Sequence, residues 1–378
     1  MVLAIKFADK YIGGLLCKLL GIFSRKKAIV EAKKILVIQL WGIGETVLVL
    51  PSLGALRKKY PKATIDVLAT KRNSDVFFSN KHADNILTIE TGPLSLLKFI
   101  IKNFKKYDLV IDMEEYLNIS AIISFFTGKN SIGYSHGVRS KMYSVKIKYN
   151  DQQHISETFL DLIRALDDQP NIKALPNLQY SKKDKTNADK FLEKSGIKKN
   201  DFVVCVAPGV AESAKSRIWP FERYAELCDE IISKHNAKII FVGTSDETQL
   251  VEIIIKGIEK KSSAINSAGK ITLRELFYLI KTSKLFIGND SGPMHIAAAQ
   301  GIKTLGLFGP NIPLRFGPVG DGNIGLYKRY NCEFSPCINV HKGQVPDCMY
   351  PKSSNDYQKC MKNISVNDAL KEVEKLII

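Results

Sequence analysis

The chain has 378 residues, a length that favours two domains, and its 45% hydrophobic and 25% charged residues exclude a disordered or collagen-like protein. The 55 lysines and arginines exceed the 38 aspartates and glutamates, and the net charge of +17 favours an anionic partner; since no nucleic-acid-binding module is recognisable, we expect phosphates and lipid headgroups rather than nucleic acid. The seven unevenly spaced cysteines exclude a secreted disulfide scaffold and no cleavable signal is visible, so the cytoplasm is the expected compartment.

Residues 1–33 form a basic, amphipathic N-terminal segment. Over residues 1–34, eight lysines and arginines stand against two acidic residues, so more than a third of the net charge lies here. Lys18 interrupts the apolar stretch, which is also shorter than the roughly 20 residues of a transmembrane helix. Apolar residues at helical spacing predict a helix with one apolar stripe, made of Ala8, Tyr11, Ile12, Leu15, Leu16, Leu19 and Phe23.

Two interpretations of this helix are open. In the one we favour, the helix lies in the membrane interface, with Arg25, Lys26 and Lys27 against anionic headgroups. In the other, it is an amphipathic helix packed on its own domain. Gly13, Gly14 and Gly21 lower its intrinsic helix propensity.

From residue 34 the pattern changes to alternating strands and helices, which is typical of a parallel sheet covered on both faces. Continuous apolar runs of the kind buried in parallel sheets predict the strands. We therefore predict a Rossmann-like domain over residues 34–170. Its strands are predicted at residues 35–40, 65–69, 86–89, 109–113 and 131–134, and its helices at 46–60, 94–106, 119–126 and 156–166.

A polar, lysine-rich linker region is predicted at residues 171–200, within which residues 186–194 could be helical. The alternation restarts in residues 201–378, which predict a second Rossmann-like domain. Two doubly wound halves predict an α/β fold with a ligand cleft between the carboxyl ends of their strands. The second set of strands is predicted at residues 202–206, 239–242, 264–265, 285–287 and 305–308, and the helices at 221–233, 247–258, 273–281, 293–299 and 366–378.

In the first half, Gly42, Gly44 and Glu45 occupy the turn from a strand into a helix. Glycines let backbone pass close to a ligand, but the third glycine of a dinucleotide-binding fingerprint is missing, and Glu45 would repel a pyrophosphate there. This argues against an NAD-dependent oxidoreductase. Glu45 is a candidate general base for a hydroxyl that attacks a carbon centre. The alternative is a carboxylate that merely stabilises a helix N-terminus.

In the second half, Pro208 and Gly209 follow the first strand, and Arg217 lies in the loop beyond them. A guanidinium entering the cleft could neutralise a phosphate through two hydrogen bonds; the alternative is a solvated loop charge.

Residues 288–295, with the sequence GNDSGPMH, carry the densest information in the chain. Free amides at the start of the predicted helix, near Ser291 and Gly292, form a ready anion site for a diphosphate. Asp290 would repel phosphates unless its carboxylate points elsewhere, and it could accept hydrogen bonds from sugar hydroxyls. His295 lies on the first turns of the same helix. The alternative makes Asp290 a helix cap and His295 a packing residue.

Four cysteines, Cys332, Cys337, Cys348 and Cys360, are too widely spaced for paired C-x-x-C zinc ligands. A structural metal or a disulfide stays open, and free thiols are the interpretation we favour.

Together these residues resemble glycosyltransferase family 9, the ADP-heptose–lipopolysaccharide heptosyltransferases. The resemblance runs from residue 34 to the end of the chain, and the combination of motifs is more specific than any one of them. The motifs are GIGE at 42–45, LP at 50–51, APG at 207–209, RIWP at 217–220, DSGPMH at 290–295 and FGP at 308–310.

The resemblance implies a GT-B fold and an inverting transfer that needs no metal and no cofactor. The N-terminal domain would bind the acceptor, with Gly42 and Gly44 on the acceptor side, and the C-terminal domain would bind the nucleotide sugar. Absence of an Asp-x-Asp motif from the sequence fits a metal-independent enzyme. The implied donor is an ADP-heptose, and the implied acceptor is a lipopolysaccharide core or another lipid-linked glycan, met at the inner face of the cytoplasmic membrane.

Position by position, Glu45 stands where the family usually has an aspartate proposed as catalytic base. Arg217 stands where a lysine commonly contacts the donor phosphate, so both residues keep the charge and change the side chain. Glu247 falls near a position that contacts the donor ribose. The other donor-binding residues implied are Pro208, Gly209, Asp290, Ser291, Gly292 and His295. A GT-B enzyme for another sugar, an epimerase and a catalytically idle nucleotide-sugar-binding scaffold are the alternatives.

Overall fold

The computed structural model describes residues 7–23, 31–90, 92–166, 169–172, 174–329 and 332–377. The chain divides into two compact units. The N-terminal unit comprises Met1–Ile172 and Val340–Gly343, and the C-terminal unit comprises Lys173–Asn339 and Gln344–Ile378.

The N-terminal unit is built on a parallel sheet. Within its described residues the strands are β1 (Lys34–Ile38), β2 (Thr64–Ala69), β3 (Asn85–Thr88), β4 (Tyr107–Asp112), β5 (Gly128–Tyr134) and β6 (Val145–Ile147), in the order β3-β2-β1-β4-β5-β6. The helices are α1 (Gly14–Leu20), α2 (Ile43–Lys59), α3 (Pro93–Lys102), α4 (Asn118–Thr127) and α5 (Ile155–Arg164). The side chains of Leu36, Ile38 and Val110 are fully buried, because helices cover both faces of such a sheet.

The C-terminal unit repeats this plan. Its described strands are β7 (Val203–Ala207), β8 (Lys238–Phe241), β9 (Ala264–Asn266), β10 (Leu285–Asn289), β11 (Lys303–Phe308) and β12 (Ile324–Tyr327), in the order β12-β11-β10-β7-β8-β9. The helices are α6 (Lys182–Lys194), α7 (Phe221–His235), α8 (Thr248–Gly257), α9 (Leu273–Thr282), α10 (Gly292–Ala299), α11 (Pro313–Phe316), α12 (Lys359–Lys362) and α13 (Val366–Ile377).

Both sheets therefore have the same doubly wound order, and the α/β class predicted from the sequence is confirmed. In such sheets ligands bind at the carboxyl ends of the strands where the strand order reverses. That point lies between β1 and β4 in the N-terminal unit and between β7 and β10 in the C-terminal unit.

The segment predicted as a linker region contains α6, which is attached to the C-terminal unit. Ser181 and Asp184 form a capping box at its start. The helix then packs on α9, where the Asn187 amide donates a hydrogen bond of 2.8 Å to Glu275 and Arg274 forms an ion pair of 3.1 Å with Asp184.

The N-terminal helix packs on its own unit through small residues. A π-helical turn, Asp9–Gly13, continues into α1, and the buried residues of the two are Gly13, Gly14 and Cys17. A Cβ on Gly13 would lie only 3.0 Å from the Cβ of Asn118 at the start of α4, so glycine permits this close approach.

The apolar stripe predicted on this helix points the other way. Tyr11, Ile12, Leu15, Leu16 and Leu19 are between 40% and 63% exposed. The helix thus packs on its own unit, as one interpretation has it, but not through the stripe on which that interpretation relied. Arg25, Lys26 and Lys27, predicted to meet headgroups, lie outside the described residues.

Candidate active site

The turn between β1 and α2 brings Gly42 and Glu45 together. Gly42 has φ +66° and ψ 119°, a conformation that favours glycine. The half-buried Glu45 carboxylate folds back over it, so that a Cβ on Gly42 would lie 1.9 Å from Glu45 Oε2. Gly44 is buried in the first turn of α2. Sequence and geometry thus agree that this turn carries a carboxylate at the carboxyl end of a central strand.

Glu114, which follows β4 beside this turn, was not predicted as a site residue. Its side chain is 3% exposed, and its Oε1 accepts hydrogen bonds from the backbone N–H groups of Leu40 (2.5 Å) and Trp41 (2.9 Å). Burial raises the pKa of Glu114 to about 8, with the nearby Asp112 charge adding to the effect. An acidic residue directly after a buried strand was the signal that could have revealed it.

A buried ion pair lies beneath the end of β4. The Arg139 guanidinium is 2.8 Å from Asp112 Oδ2, and both side chains are at most 2% exposed. Arg139 also donates hydrogen bonds to the Tyr143 hydroxyl (2.6 Å) and to the Glu114 carbonyl, while Tyr143 donates to Asp112 (2.6 Å). This network fixes the backbone from which Glu114 reaches the turn that carries Glu45.

A second cluster lies at the ends of β4 and β5. The His136 ring is 2.6 Å from the Glu115 carbonyl oxygen through Nε2, and the Tyr149 hydroxyl donates a hydrogen bond to the Glu115 carboxylate. His341, from the short stretch Val340–Gly343 that returns to the N-terminal unit, stacks on Tyr149 with ring centroids 4.2 Å apart. Burial lowers the pKa of His136, which favours its neutral form. None of these residues was singled out from the sequence.

In the C-terminal unit, Gly209 and Glu247 are in contact. A Cβ on Gly209 would lie 1.8 Å from Glu247 Oε1, so a larger residue here would displace the Glu247 carboxylate. The other carboxylate oxygen, Oε2, accepts hydrogen bonds from the Thr244 backbone N–H (2.7 Å) and hydroxyl (3.2 Å). Burial raises the pKa of Glu247. Gly209, just beyond the end of β7, therefore lies beside Glu247.

Arg217 and Asp290 form the second contact among the predicted site residues. The guanidinium Nη1 lies 3.2 Å from Asp290 Oδ2 and donates a hydrogen bond of 3.1 Å to the Asp290 carbonyl. The Asn311 side-chain amide donates a further hydrogen bond of 2.8 Å to Asp290 Oδ2. The Asp290 carboxylate is thus directed toward Arg217 and Asn311, which removes the expected conflict with a phosphate.

Residues Ser291 to His295 start α10. Ser291 precedes the helix, with no side-chain cap hydrogen bond, and Gly292 is its first residue. Within the described part of the chain, the buried Ser291 hydroxyl has no hydrogen-bond partner, and the same is true of Arg217 Nε. His295 is 3% exposed. Both atoms belong to residues next to Asp290: Ser291 follows it in the chain, and Arg217 is its ion-pair partner.

Asn289 links the loops around this site. Its amide donates a hydrogen bond of 2.7 Å to the Pro208 carbonyl, and its Oδ1 accepts one of 3.1 Å from the Trp219 backbone N–H. The Trp219 indole in turn donates to the Ile364 carbonyl (2.9 Å). The structural roles of Asn289 and Asn311 were not predicted, because their partners are distant in sequence.

The four late cysteines converge. Cys332, Cys337, Cys348 and Cys360 line one small cavity in the C-terminal unit, and none of them is in a disulfide. Burial raises the pKa of Cys360 to about 12, and the other three thiols add to the effect. The favoured interpretation of free thiols agrees with the absence of disulfides among these residues.

The described residues contain neither a metal-binding cluster nor a membrane-spanning helix. In that part of the chain, no cluster of three or more histidine, cysteine, aspartate or glutamate side chains is arranged to hold a metal ion. Nor does any helix described there have the length and apolar character needed to cross a membrane.

The sequence was compared with protein families and with curated proteins. Residues 100–342 match the family model described as glycosyltransferase family 9 (heptosyltransferase). Among curated proteins, the lipopolysaccharide core heptosyltransferase OpsX of Haemophilus influenzae is 27% identical over 314 residues, which cover 78% of this chain and 85% of that protein.

Solved structures give the same answer for the fold. A glycosyltransferase family 9 protein from Veillonella parvula DSM 2008 superposes with a TM-score of 0.76 at 21% identity, covering 93% of this chain and 98% of that one. The ADP-heptose lipopolysaccharide heptosyltransferase II of E. coli gives a TM-score of 0.70 at 20% identity, with 91% and 98% covered. The GT-B class implied by the sequence resemblance is thereby confirmed.

Proposed function

Because the chain belongs to glycosyltransferase family 9, we propose that it is a heptosyltransferase that moves a heptose from an ADP-linked donor to a lipopolysaccharide core or another lipid-linked glycan. The name of the H. influenzae relative supports the acceptor, and that of the E. coli structure supports the donor. The observation that carries the proposal is the pair of buried polar atoms beside Asp290.

Arg217 Nε and the Ser291 hydroxyl are buried, and no acceptor among the described residues satisfies them. Leaving such a group without a partner costs about 1–3 kcal/mol, which a ligand oxygen can recover. Both atoms can donate a hydrogen bond, and Gly292, the first residue of α10, adds its backbone N–H. Donors of this kind together with a guanidinium suit the oxygens of a diphosphate.

The remaining donor-site residues have complementary roles in this proposal. Asp290 holds Arg217 in place through the 3.2 Å ion pair and offers an acceptor to a sugar hydroxyl. Glu247 accepts hydrogen bonds from the ribose, beside Pro208 and the closely approached Gly209. His295, which is buried in α10, completes the proposed donor site.

The proposed reaction is a single displacement with inversion at the anomeric carbon. The Glu45 carboxylate takes the proton of an acceptor hydroxyl, and the oxygen forms a bond to the anomeric carbon. The bond from that carbon to the ADP oxygen breaks, and ADP leaves with the electron pair. Arg217, the Ser291 hydroxyl and the Gly292 N–H stabilise the charge that develops on the diphosphate, so the proposed chemistry needs no metal and no cofactor. Gly42 and Gly44 leave room for the acceptor beside Glu45.

A lipid-linked acceptor places the reaction at a membrane. We propose that the protein is cytoplasmic and peripheral on the inner face of the cytoplasmic membrane, held there by residues 1–34. Their excess of lysines and arginines over acidic residues supports attraction to anionic headgroups.

Transfer of heptose from ADP-heptose to a detergent-solubilised acceptor, followed as ADP release and by mass spectrometry of the product, tests the proposal. Glu45→Gln should lower kcat by about 100-fold or more with KM little changed, since the base acts in the transition state. Arg217→Ala should both lower kcat and weaken binding of the donor. Glu226→Gln, an exposed carboxylate on α7, is the matched control and should keep parental rates.

The alternatives give different results in the same assay. A product with another sugar, or an epimerised nucleotide sugar, would identify a different GT-B enzyme. Donor binding without turnover on any acceptor would identify an idle scaffold. Near-parental rates in both Glu45→Gln and Arg217→Ala would refute the assigned roles.

A further inference from the structure

Exposed apolar side chains are concentrated in two segments of the N-terminal unit. Among the described residues, seventeen large hydrophobic side chains are exposed, and twelve of them lie in residues 7–23 and 94–104. Soluble surfaces normally scatter such side chains singly, and a concentration of this size marks a contact surface.

The first segment holds its apolar side outward by specific contacts. The Asp9 carboxylate accepts hydrogen bonds from the backbone N–H groups of Asn118 (3.0 Å) and Ile119 (2.7 Å), which are free donors at the start of α4. Cys17 is fully buried against α4 and its neighbours. Because this opposite side of the helix is fixed, Leu15 and Leu19 remain exposed.

The second segment is α3 with the residue pair that follows it. No described residue of α3 is buried, and Leu94, Leu97 and Ile101 are 75%, 54% and 67% exposed. Its inner side packs near the same place as α1, since Ile100 and Leu20 border one apolar cluster with α4 residues Ala121 and Ile122. Both α1 and α3 therefore lie against α4 and turn their other sides to the solvent.

The charges on these two segments have one sign. Lys10 and Lys18 are exposed in the first segment, and Lys98 and Lys102 in the second. The acidic residue of residues 7–23 is Asp9, which caps α4, and residues 93–104 contain none. Lysines among exposed leucines match an anionic lipid leaflet, whereas on a surface paired with its own copy they would repel each other.

We propose that α1 and α3 form one membrane-contact surface, with their leucines and isoleucines between the lipids of an anionic leaflet and their lysines at the headgroups. The proposal rests on the proposed function in one respect: a lipid-linked acceptor would have to reach this side of the N-terminal unit. Asp9 anchors the surface to the start of α4, four residues beyond Glu114 in the chain. The surface therefore lies near the carboxyl end of β4, the edge that also carries Glu45.

Flotation of the full chain with vesicles tests the surface directly. We expect binding to vesicles in which phosphatidylglycerol is mixed with phosphatidylcholine, and weaker binding to phosphatidylcholine alone. Leu97→Glu on α3 and Leu15→Glu on α1 should each lower the partition coefficient by about 10-fold or more, because each removes an exposed leucine that would enter the leaflet and adds a charge of the same sign as the lipid. Ile253→Glu is the matched control: this residue is 44% exposed on α8 of the C-terminal unit, and its variant should bind like the parent.

The outcomes separate the possibilities. Parental vesicle binding by a folded Leu97→Glu variant would remove α3 from the surface and refute the proposal. Light scattering that shows a dimer in the parent and a monomer in both glutamate variants would assign the surface to a second copy instead. Vesicle binding is measured without donor or acceptor, and transfer is measured in detergent without vesicles, so failure of one proposal is distinguishable from failure of the other.

Discussion

Glu114→Gln tests whether the buried Glu114 side chain stays protonated beside the turn that carries Glu45. Burial raises the pKa of Glu114 from its ordinary 4.5 to about 8, so the folded protein holds a proton that the unfolded chain releases. As the pH rises from about 5 to about 8, the unfolded state gains stability from this release and the folded state does not. The contribution of Glu114 to folding is therefore full in acid and is lost as the pH rises toward the folded pKa.

The magnitude follows from the two pKa values. A difference of one pKa unit corresponds to about 1.4 kcal/mol, and the two titration curves together give a loss of about 3–4 kcal/mol between about pH 5 and about pH 8. Glutamine keeps an acceptor oxygen for the Leu40 and Trp41 amides and cannot titrate. The free energy of unfolding of Glu114→Gln should therefore rise relative to the parent by this amount across the range.

Urea denaturation at several pH values provides the measurement. The chain has two tryptophans, one in each unit, so a Trp219→Phe background leaves Trp41 to report on the N-terminal unit. Glu226→Gln on α7 is exposed and serves as the control, with a pH dependence equal to that of the parent. Parallel curves for the parent and Glu114→Gln would mean that Glu114 is charged in the folded state, and would refute the reasoning.

Three further variants test other contacts. Arg139→Met should lower the free energy of unfolding by about 3–5 kcal/mol, because it leaves the Asp112 carboxylate buried without its charge partner; a loss below about 1 kcal/mol in urea denaturation would contradict this. Gly209→Ala should lower the melting temperature of the donor-free protein, and adding Glu247→Ala should restore it, since the new methyl and the carboxylate compete for one space; additive losses in the double variant would refute the contact. Asn289→Ala should cost about 2–3 kcal/mol and raise the donor KM, because two loops lose their shared buried partner; unchanged donor KM would show that those loops do not shape the donor site.

The central strands could be predicted from the sequence because they are buried on both faces and appear as continuous apolar runs. Strands β6 and β12 were missed because Lys146 and Gly325 interrupt their short apolar runs, whereas the edge strands β3 and β9, which also have no buried residue, were predicted. The N-terminal helix shows a different limit. Its apolar stripe predicted a helix, but the side that packs on the protein consists of Gly13, Gly14 and Cys17. The residue types alone do not reveal that the side with small residues, rather than the side with leucines, faces the protein.

Some site residues could also be predicted from the sequence, and others could not. Gly42, Glu45, Arg217 and Asp290 lie in the turns and helix ends that follow predicted strands, where short motifs are visible. Glu114 could not be identified by spacing, because its partners Leu40 and Trp41 precede it by 74 and 73 residues and meet it only once β1 and β4 pair. The strand order of a doubly wound sheet is what brings these residues together.

In both units a polar side chain at the end of one central strand hydrogen-bonds the backbone at the end of its neighbour. At the end of β4, Glu114 binds the backbone at the end of β1, and at the end of β10, Asn289 binds the Pro208 carbonyl at the end of β7. Since β4 and β10 occupy equivalent positions in the two sheets, both sets of hydrogen bonds cross the point where the strand order reverses. A side chain that spans this point fixes the loop from which a ligand is contacted. Glu114 and Asn289, at the carboxyl ends of these equivalent strands, therefore belong with the site, although they carry none of the proposed chemistry themselves.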